Sequence, residues 1–295
     1  MKRMLTVLMV SMMTISTGKA CDICGCSGAG VFNVPSSYAL YNFILLRPHY
    51  AAFQATGDAH ADILYSGVDA GFGIGLNRWW HVTAYIPYKY NSIYHEGVQT
   101  NLSGLGDAGV MNTFKVYSNV DSMMVKHKWT IYTKAGIELP TGKFSENFRA
   151  DHLPAGVSLG SGSFDILAGA RVSYAMNKHT VTLDYTGKYN TVNASAYQFG
   201  FQQTSTGLYS YTIRKPAFTF LPNAGLLVET NTGDTYHQLV ESETKGTSAY
   251  AMLGCEVGKG SWVGGLQVDL PVADSFDGEV TYRPRGTIRI LYLWQ

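Results

Sequence analysis

The sequence predicts an all-β fold: a transmembrane antiparallel β-barrel of about twelve strands, preceded by a short N-terminal segment. Three observations lead there. Segments of about a dozen residues alternate apolar and polar side chains, their connections alternate between tight and long, and the five tryptophans gather at one end of the strands. Alternation is the mark of a strand with two different faces, because successive side chains point to opposite sides. A soluble sandwich alternates too, but its strands are usually about five or six residues long. Twelve residues at ~3.3 Å each, tilted near 40°, cover the ~25 Å apolar band of a membrane barrel.

The strands are expected near 38–50 and 62–76, the latter ending in the tight turn "LNR" at 76–78. Trp79 and Trp80 open the third, 79–90, and the run Ser103 to Val110 leads into the fourth, 105–117. The fifth, 129–140, shows the pattern plainly. Trp129, Ile131, Thr133, Ala135, Ile137 and Leu139 make one face, and Thr130, Tyr132, Lys134, Gly136 and Glu138 the other. In the sixth, 163–176, Phe164, Ile166, Ala168 and Val172 alternate with Asp165 and Arg171. "NKH" at 177–179 turns the chain into the seventh, 180–190, where Val181, Leu183, Tyr185 and Tyr189 oppose Asp184 and Lys188. Strands at 197–213, 217–230 and 248–257 follow, with Cys255 beside Ala251, Leu253 and Val257 on the apolar face. "GKG" at 258–260 precedes the strand at 261–271. In the last, 282–294, Ile288, Ile290, Tyr292 and Trp294 oppose Arg289.

The remaining connections, around 91–104, 141–162, 231–247 and 273–281, read as long polar loops. Tight turns at one end and long loops at the other are the habit of outer-membrane barrels. With the tight turns placed together, all five tryptophans lie at that rim, as an interfacial aromatic girdle requires. An even strand count puts both termini at the tight-turn, periplasmic side. Closure is required energetically, since an unpaired backbone group in hydrocarbon costs several kcal/mol. The expected surroundings follow: outer-membrane lipid and lipopolysaccharide against the wall, barrel-assembly machinery during insertion, and a small-molecule solute inside.

Residues 1–20 read as a secretory signal peptide. Lys2 and Arg3 precede an apolar stretch from Met4 to Ile15, and Gly18 and Ala20 stand at −3 and −1 before Cys21. Removing them would reduce 22 basic residues to 19 against 21 acidic ones. Such a near-neutral chain has no electrostatic footprint for nucleic acid. Residues 21–36 form a cysteine-containing N-terminal segment, and 37–295 the barrel.

The polar faces point to the lumen. They carry Asp69, Lys89, Lys115, Lys134, Glu138, Asp165, Arg171, Asp184, Lys188, Glu229, Glu256, Gln267, Asp269 and Arg289, with Tyr85 and Tyr132 also inward. Mixed charges of this kind either brace the barrel by salt bridges or form a polar constriction that selects a solute.

The run "CDICGC" at 21–26 leaves three readings open: lipidation of Cys21, a disulfide formed in an oxidising compartment, or a soft-metal site. In the last, Cys21, Cys24 and Cys26 wrap Cu(I) or Zn, with water or His127 as a fourth ligand. An enzyme embedded in a barrel would need a Ser/His/Asn or Asp/His constellation at the rim. The eight histidines are scattered, and neither HExxH nor GxSxG occurs. The leading expectation is a non-enzymatic channel for passive passage of small, apolar or aromatic, solutes. The alternative is metal handling by the cysteines, with the barrel as conduit.

Five runs in order strengthen this: "SGLGDAGV" (Ser103 to Val110), "GIELPTGKF" (Gly136 to Phe144), "SLGSGSFDILAGARVSYAM" (Ser158 to Met176), "LPNAGLLVE" (Leu221 to Glu229) and "VDLPV" (Val268 to Val272). Together they resemble the outer-membrane barrel family named for the meta-pathway of phenol degradation, over roughly residues 60–295. The resemblance implies a transporter of small, often apolar or aromatic, compounds. The "CDICGC" run also resembles mature N-termini of barrels from Bacteroidetes-like bacteria.

Overall fold

The computed structural model describes residues 41–55, 61–95, 97–120, 126–145, 155–241, 244–275 and 280–294. The expected signal peptide and the cysteine segment lie outside them. Twelve strands form a closed antiparallel wall: β1 (Asn42–Ala55), β2 (Ala61–Gly75), β3 (Trp80–His95), then, past a short β4 (Val98–Leu105), β5 (Ala108–Ser118), β6 (His127–Leu139), β7 (Asp165–Met176) and β8 (His179–Asn190). Beyond a two-residue β9 (Tyr197–Gln198) come β10 (Gln202–Tyr211), with β11 (Ile213–Arg214) at its end, and β12 (Thr219–Asn231). After β13 (Asp234–Tyr236) and β14 (Leu239–Glu241), the wall resumes with β15 (Gly246–Lys259) and β16 (Trp262–Asp274). It ends, past β17 (Val280–Tyr282), with β18 (Arg285–Trp294). Pairing of β1 with β18 and of β10 with β12 closes the ring.

The outward side chains are the apolar ones. Leu183 is 59% exposed, Ile166 54% and Leu253 53%. Their inward neighbours Asp184, Asp165 and Met252 are buried. An apolar belt around a closed sheet is the surface that hydrocarbon wets without cost. Tight turns at one end, here termed the short-turn end, use left-handed residues: Asn177 has φ 56° and Gly260 φ 58°. Trp79, Trp80, Trp129, Trp262 and Trp294 all lie at that rim.

Five expected loops or strands need correction. Residues 91–104 are no loop: β3 runs on to His95, and β4 folds back along it, Tyr88 opposite Leu105. The alternation was hidden because the outward residues there, Gln99, Asn101 and Ser103, are polar, as suits a hairpin standing beyond the lipid band. The expected strand at 197–213 is broken. Tyr197 and Gln198 pair with β13, and the wall strand begins at Gln202. Within 231–247, β13 and β14 complete a separate three-stranded sheet with β9. The last expected loop is shortened by β16, which reaches Asp274, and by β17, which pairs with β1. The first strand is shifted upward to 42–55.

The small sheet is pinned by one carboxylate. Asp234 Oδ1 accepts from the Gly200 amide at 2.7 Å and Asn231 Nδ2 at 3.0 Å, and Oδ2 accepts from the Tyr197 hydroxyl at 2.6 Å. Strands of two or three residues need such a side-chain anchor, since their ladders alone are too short to persist.

Candidate functional site: the lumen and its strap

The inner wall formed by β6, β7 and β8 is polar. Lys134 Nζ donates to Asp184 Oδ1 and Thr186 Oγ1, each at 2.7 Å, and Arg171 Nε donates to Asp184 Oδ2 at 2.6 Å. Glu138 accepts from Tyr85 on one oxygen and from Lys188 Nζ on the other, the latter at 2.7 Å. Lys188 also lies 3.3 Å from Asp165, which accepts from Ser163 Oγ at 2.7 Å. Tyr85 reaches Glu138 from β3 by crossing β5 at Gly109, where a Cβ would strike the tyrosine ring. A glycine at that crossing lets one side chain lie flat over the neighbouring backbone.

Across the lumen, Arg47 pairs with Asp69 at 2.7 Å, and His49 lies 3.3 Å from the same carboxylate. Arg285 pairs with Glu229 at 2.8 Å and approaches Asp269 at 3.7 Å, its guanidinium 3.7 Å from the centroid of Tyr250. Arg289 donates to Glu256 at 2.9 Å and to Gln267 at 3.4 Å. Buried charges are tolerable only when paired and hydrogen-bonded, and these pairs meet that condition.

Apolar side chains fill the rest. Phe43, Leu45, Tyr85, Met111, Leu167, Val263, Leu291 and Leu293 form one cluster. A second joins Phe53, Ile63, Tyr65 and Ile93 to Leu227, Tyr250, Met252 and Tyr282, with Val157 among them. β3 and β12 stand on opposite sides of the ring, so a cluster containing both Ile93 and Leu227 crosses the lumen.

Val157 does not belong to the wall. It sits on a single 3₁₀ turn, Ala155–Val157, in the segment between β6 and β7, here termed the strap. Sequence explains how the strap is held. Pro87 in β3 has no amide hydrogen, so the ladder lapses there, and β5 gives way to β4. At the lapse Gly106 bonds Pro87 O at 2.9 Å, and the next residue, Asp107, points inward, 8% exposed. Its carboxylate accepts from the Gly142 amide at 2.9 Å and the Ser161 amide at 2.6 Å, gripping both limbs of the strap. Asn91 Nδ2 donates to Val157 O at 2.7 Å, and Asn193 Nδ2 to Ser161 O at 2.9 Å. Phe144 and Ala155 of the strap pack on Tyr197 and Phe199, tying it to the small sheet.

Below the crossing cluster, a cavity of about 590 Å³ runs from the middle of the lumen to the short-turn rim. Arg47, Arg171, Asp184, Glu229, Asp269 and Arg289 line its inner part, together with Leu221, Leu227 and Met252. Lys115, Lys128 and Arg214 line its mouth. Lys115 faces inward by alternation with Met111 and Thr113, opposite Tyr132; the extra residue Val116 follows it, so Tyr117 pairs with Ile131. Its ammonium lies 5.2 Å from the centroid of Trp79.

Lys134, Glu138, Asp165 and Lys188, although inside the barrel, do not line this cavity. Cys21, Cys24 and Cys26 lie outside the described residues. His127 is engaged elsewhere, its Nδ1 2.5 Å from the Tyr174 hydroxyl and its ring stacked on that tyrosine. Cys255 is half-buried on the outward face. Sequence reasoning missed Arg47 and Arg285, which lie inside the expected strands 38–50 and 282–294 but were not assigned to the inward face, and it missed Asp107 and Asn91. Their signal was proximity to Pro87, but the partners that give them a task are more than 30 residues away.

No family model matches the sequence, and no curated protein matches it. Among solved structures, the COG4313 outer membrane channel from Pseudomonas putida F1 superposes with a TM-score of 0.68 at 11% identity, over 88% of this chain and 99% of that one. The KdgM porin (TM-score 0.42, 11% identity, 86% and 99%) and the β domain of the Bordetella autotransporter BrkA (0.48, 10%, 86% and 100%) are more remote. The fold of this chain is therefore a twelve-stranded closed barrel, similar to the fold of an outer-membrane channel.

Proposed function

We propose that the chain is an outer-membrane channel of a Gram-negative bacterium, passing small, apolar or aromatic, solutes passively, with its short-turn end and both termini in the periplasm. The observation that carries this reading is the cavity reaching the short-turn rim and meeting an apolar cluster that includes Val157 of the strap. Such a lumen is half built as a pore. An apolar constriction excludes water and ions until it is widened or filled by an apolar solute. The seal is made in part by a segment outside the wall, so it can move without opening a backbone hydrogen bond of the barrel. The likeness to a channel supports the reading at the level of fold.

Liposome swelling tests it. The wild type should admit small aromatic solutes faster than sugars of equal size, and a variant with residues 145–160 replaced by a short Gly/Ser linker should admit both. No swelling with either protein, both correctly folded, would sink the proposal.

The cysteine run favours a second reading, in which Cys21, Cys24 and Cys26 hold Cu(I) or Zn. Metal content after anaerobic purification decides it. About one equivalent, lost in Cys24→Ser/Cys26→Ser, supports the site, and none removes it.

A further inference from the structure

Among the described residues, the short-turn end of the barrel carries an excess of cations. Arg78, Lys126, Lys178, Lys215 and Lys259 sit in or beside the short turns. Among the described residues of those turns there is no Asp or Glu. Toward the other end Asp62, Asp107, Asp234, Glu241 and Asp274 are mixed with Lys143, Lys245 and Arg283. The mouth of the cavity continues the cationic side inward through Lys115, Lys128 and Arg214. Among the described residues, no carboxylate stands within salt-bridge distance of these three, whereas every arginine farther in has one: Arg47, Arg171, Arg285 and Arg289. The inner charges are therefore largely neutralised, and the mouth is not.

From this arrangement we propose that the short-turn mouth is an anion-selecting vestibule: the solute that enters there carries a negative group, a carboxylate or a phosphate, and small cations are repelled. The inference rests on the channel reading and narrows its solute class. A ring of Lys and Arg in a low-dielectric funnel concentrates anions by focusing field lines, and rings of this kind set anion preference in pores. Arg171 is the next cation along the path. Its guanidinium is paired with Asp184, so the selecting charge is that of the mouth. Exposed charges are screened beyond about 10 Å at 0.1 M salt, so selectivity should be strongest in dilute electrolyte.

The test is the reversal potential of purified barrels in planar bilayers under a dilute KCl gradient, in the wild type and in the strap-shortened background. Severalfold preference for chloride over potassium is expected, falling toward unity in K115Q/K128Q/R214Q and kept in K115R/K128R/R214K, which preserves charge. Conductance without anion preference, or a preference unchanged in the glutamine variant, overturns this inference and leaves the channel intact. No conductance in either background overturns the channel reading and this one with it.

Discussion

Asn91 and Val157 are 66 positions apart in sequence, yet the amide of one donates to the carbonyl of the other at 2.7 Å inside the barrel. This bond fixes the depth at which the strap enters the lumen, because Val157 is the strap residue packed in the crossing apolar cluster.

Loosening that attachment should open the pore. Asn91→Ala removes the donor and leaves the Val157 carbonyl unpaired, and Asp107→Ala frees the amides of Gly142 and Ser161. Each unmade buried bond costs about 1–3 kcal/mol of strap attachment. Solute flux in liposomes should rise about tenfold or more for Asp107→Ala, since a shift of ~1.4 kcal/mol changes an open-to-closed ratio tenfold. Unchanged flux in both variants would mean that the strap does not gate.

The outer face offers a depth gradient. Leu183→Lys, near the middle of β8, should lower unfolding free energy by about 2–4 kcal/mol in lipid vesicles. Ile137→Lys, two residues from the end of β6, should cost only about 0–1 kcal/mol. Equal losses at the two positions would show that the lipid band is placed wrongly on the barrel.

Asp184 holds two cations. Asp184→Ala should destabilise the barrel by about 3–5 kcal/mol, because Lys134 and Arg171 would be left buried without their shared carboxylate. Adding Lys134→Met should restore part of the loss in denaturant titrations. A double variant less stable than the single one would show that Lys134 contributes through Thr186 rather than Asp184.

Gly109 is the crossing point of Tyr85. Gly109→Val should displace the ring and break its bond to Glu138, lowering stability by about 1–3 kcal/mol. If Tyr85→Phe removes the same hydrogen bond and costs as much, the bond matters; if Tyr85→Phe is silent, the loss is steric.

The wall was legible in the sequence because its information is local. Alternation sorts Ile137 from Glu138 and Leu183 from Asp184, and "NKH" or "GKG" marks where the chain reverses. The same alternation could name the inward charges of β6, β7 and β8, but their pairing was not written there. Asp184 could have met Lys134, Arg171 or Lys188, and only the stagger of the strands decides among them. Beyond the lipid band the signal fades. Gln99, Asn101 and Ser103 face water as their inward neighbours face the lumen, so β4 looked like a loop. The strap was illegible for another reason: Asp107, Asn91 and Asn193 hold it by single side chains, and no periodicity accompanies them.

Around the wall, strand order follows chain order, so each strand pairs with its neighbour in sequence except at the seam of β1 and β18, where Asn42 lies opposite Trp294. Every other hairpin can form as soon as its two strands exist, but the seam must wait for both ends of the series. Its closure is the most distant contact in the molecule and the slowest kind to form. Until then the sheet has two raw edges that would pair with any other open strand. A catalyst of insertion would act at this one junction, and a substitution there should lengthen folding time far more than one in the β7–β8 hairpin.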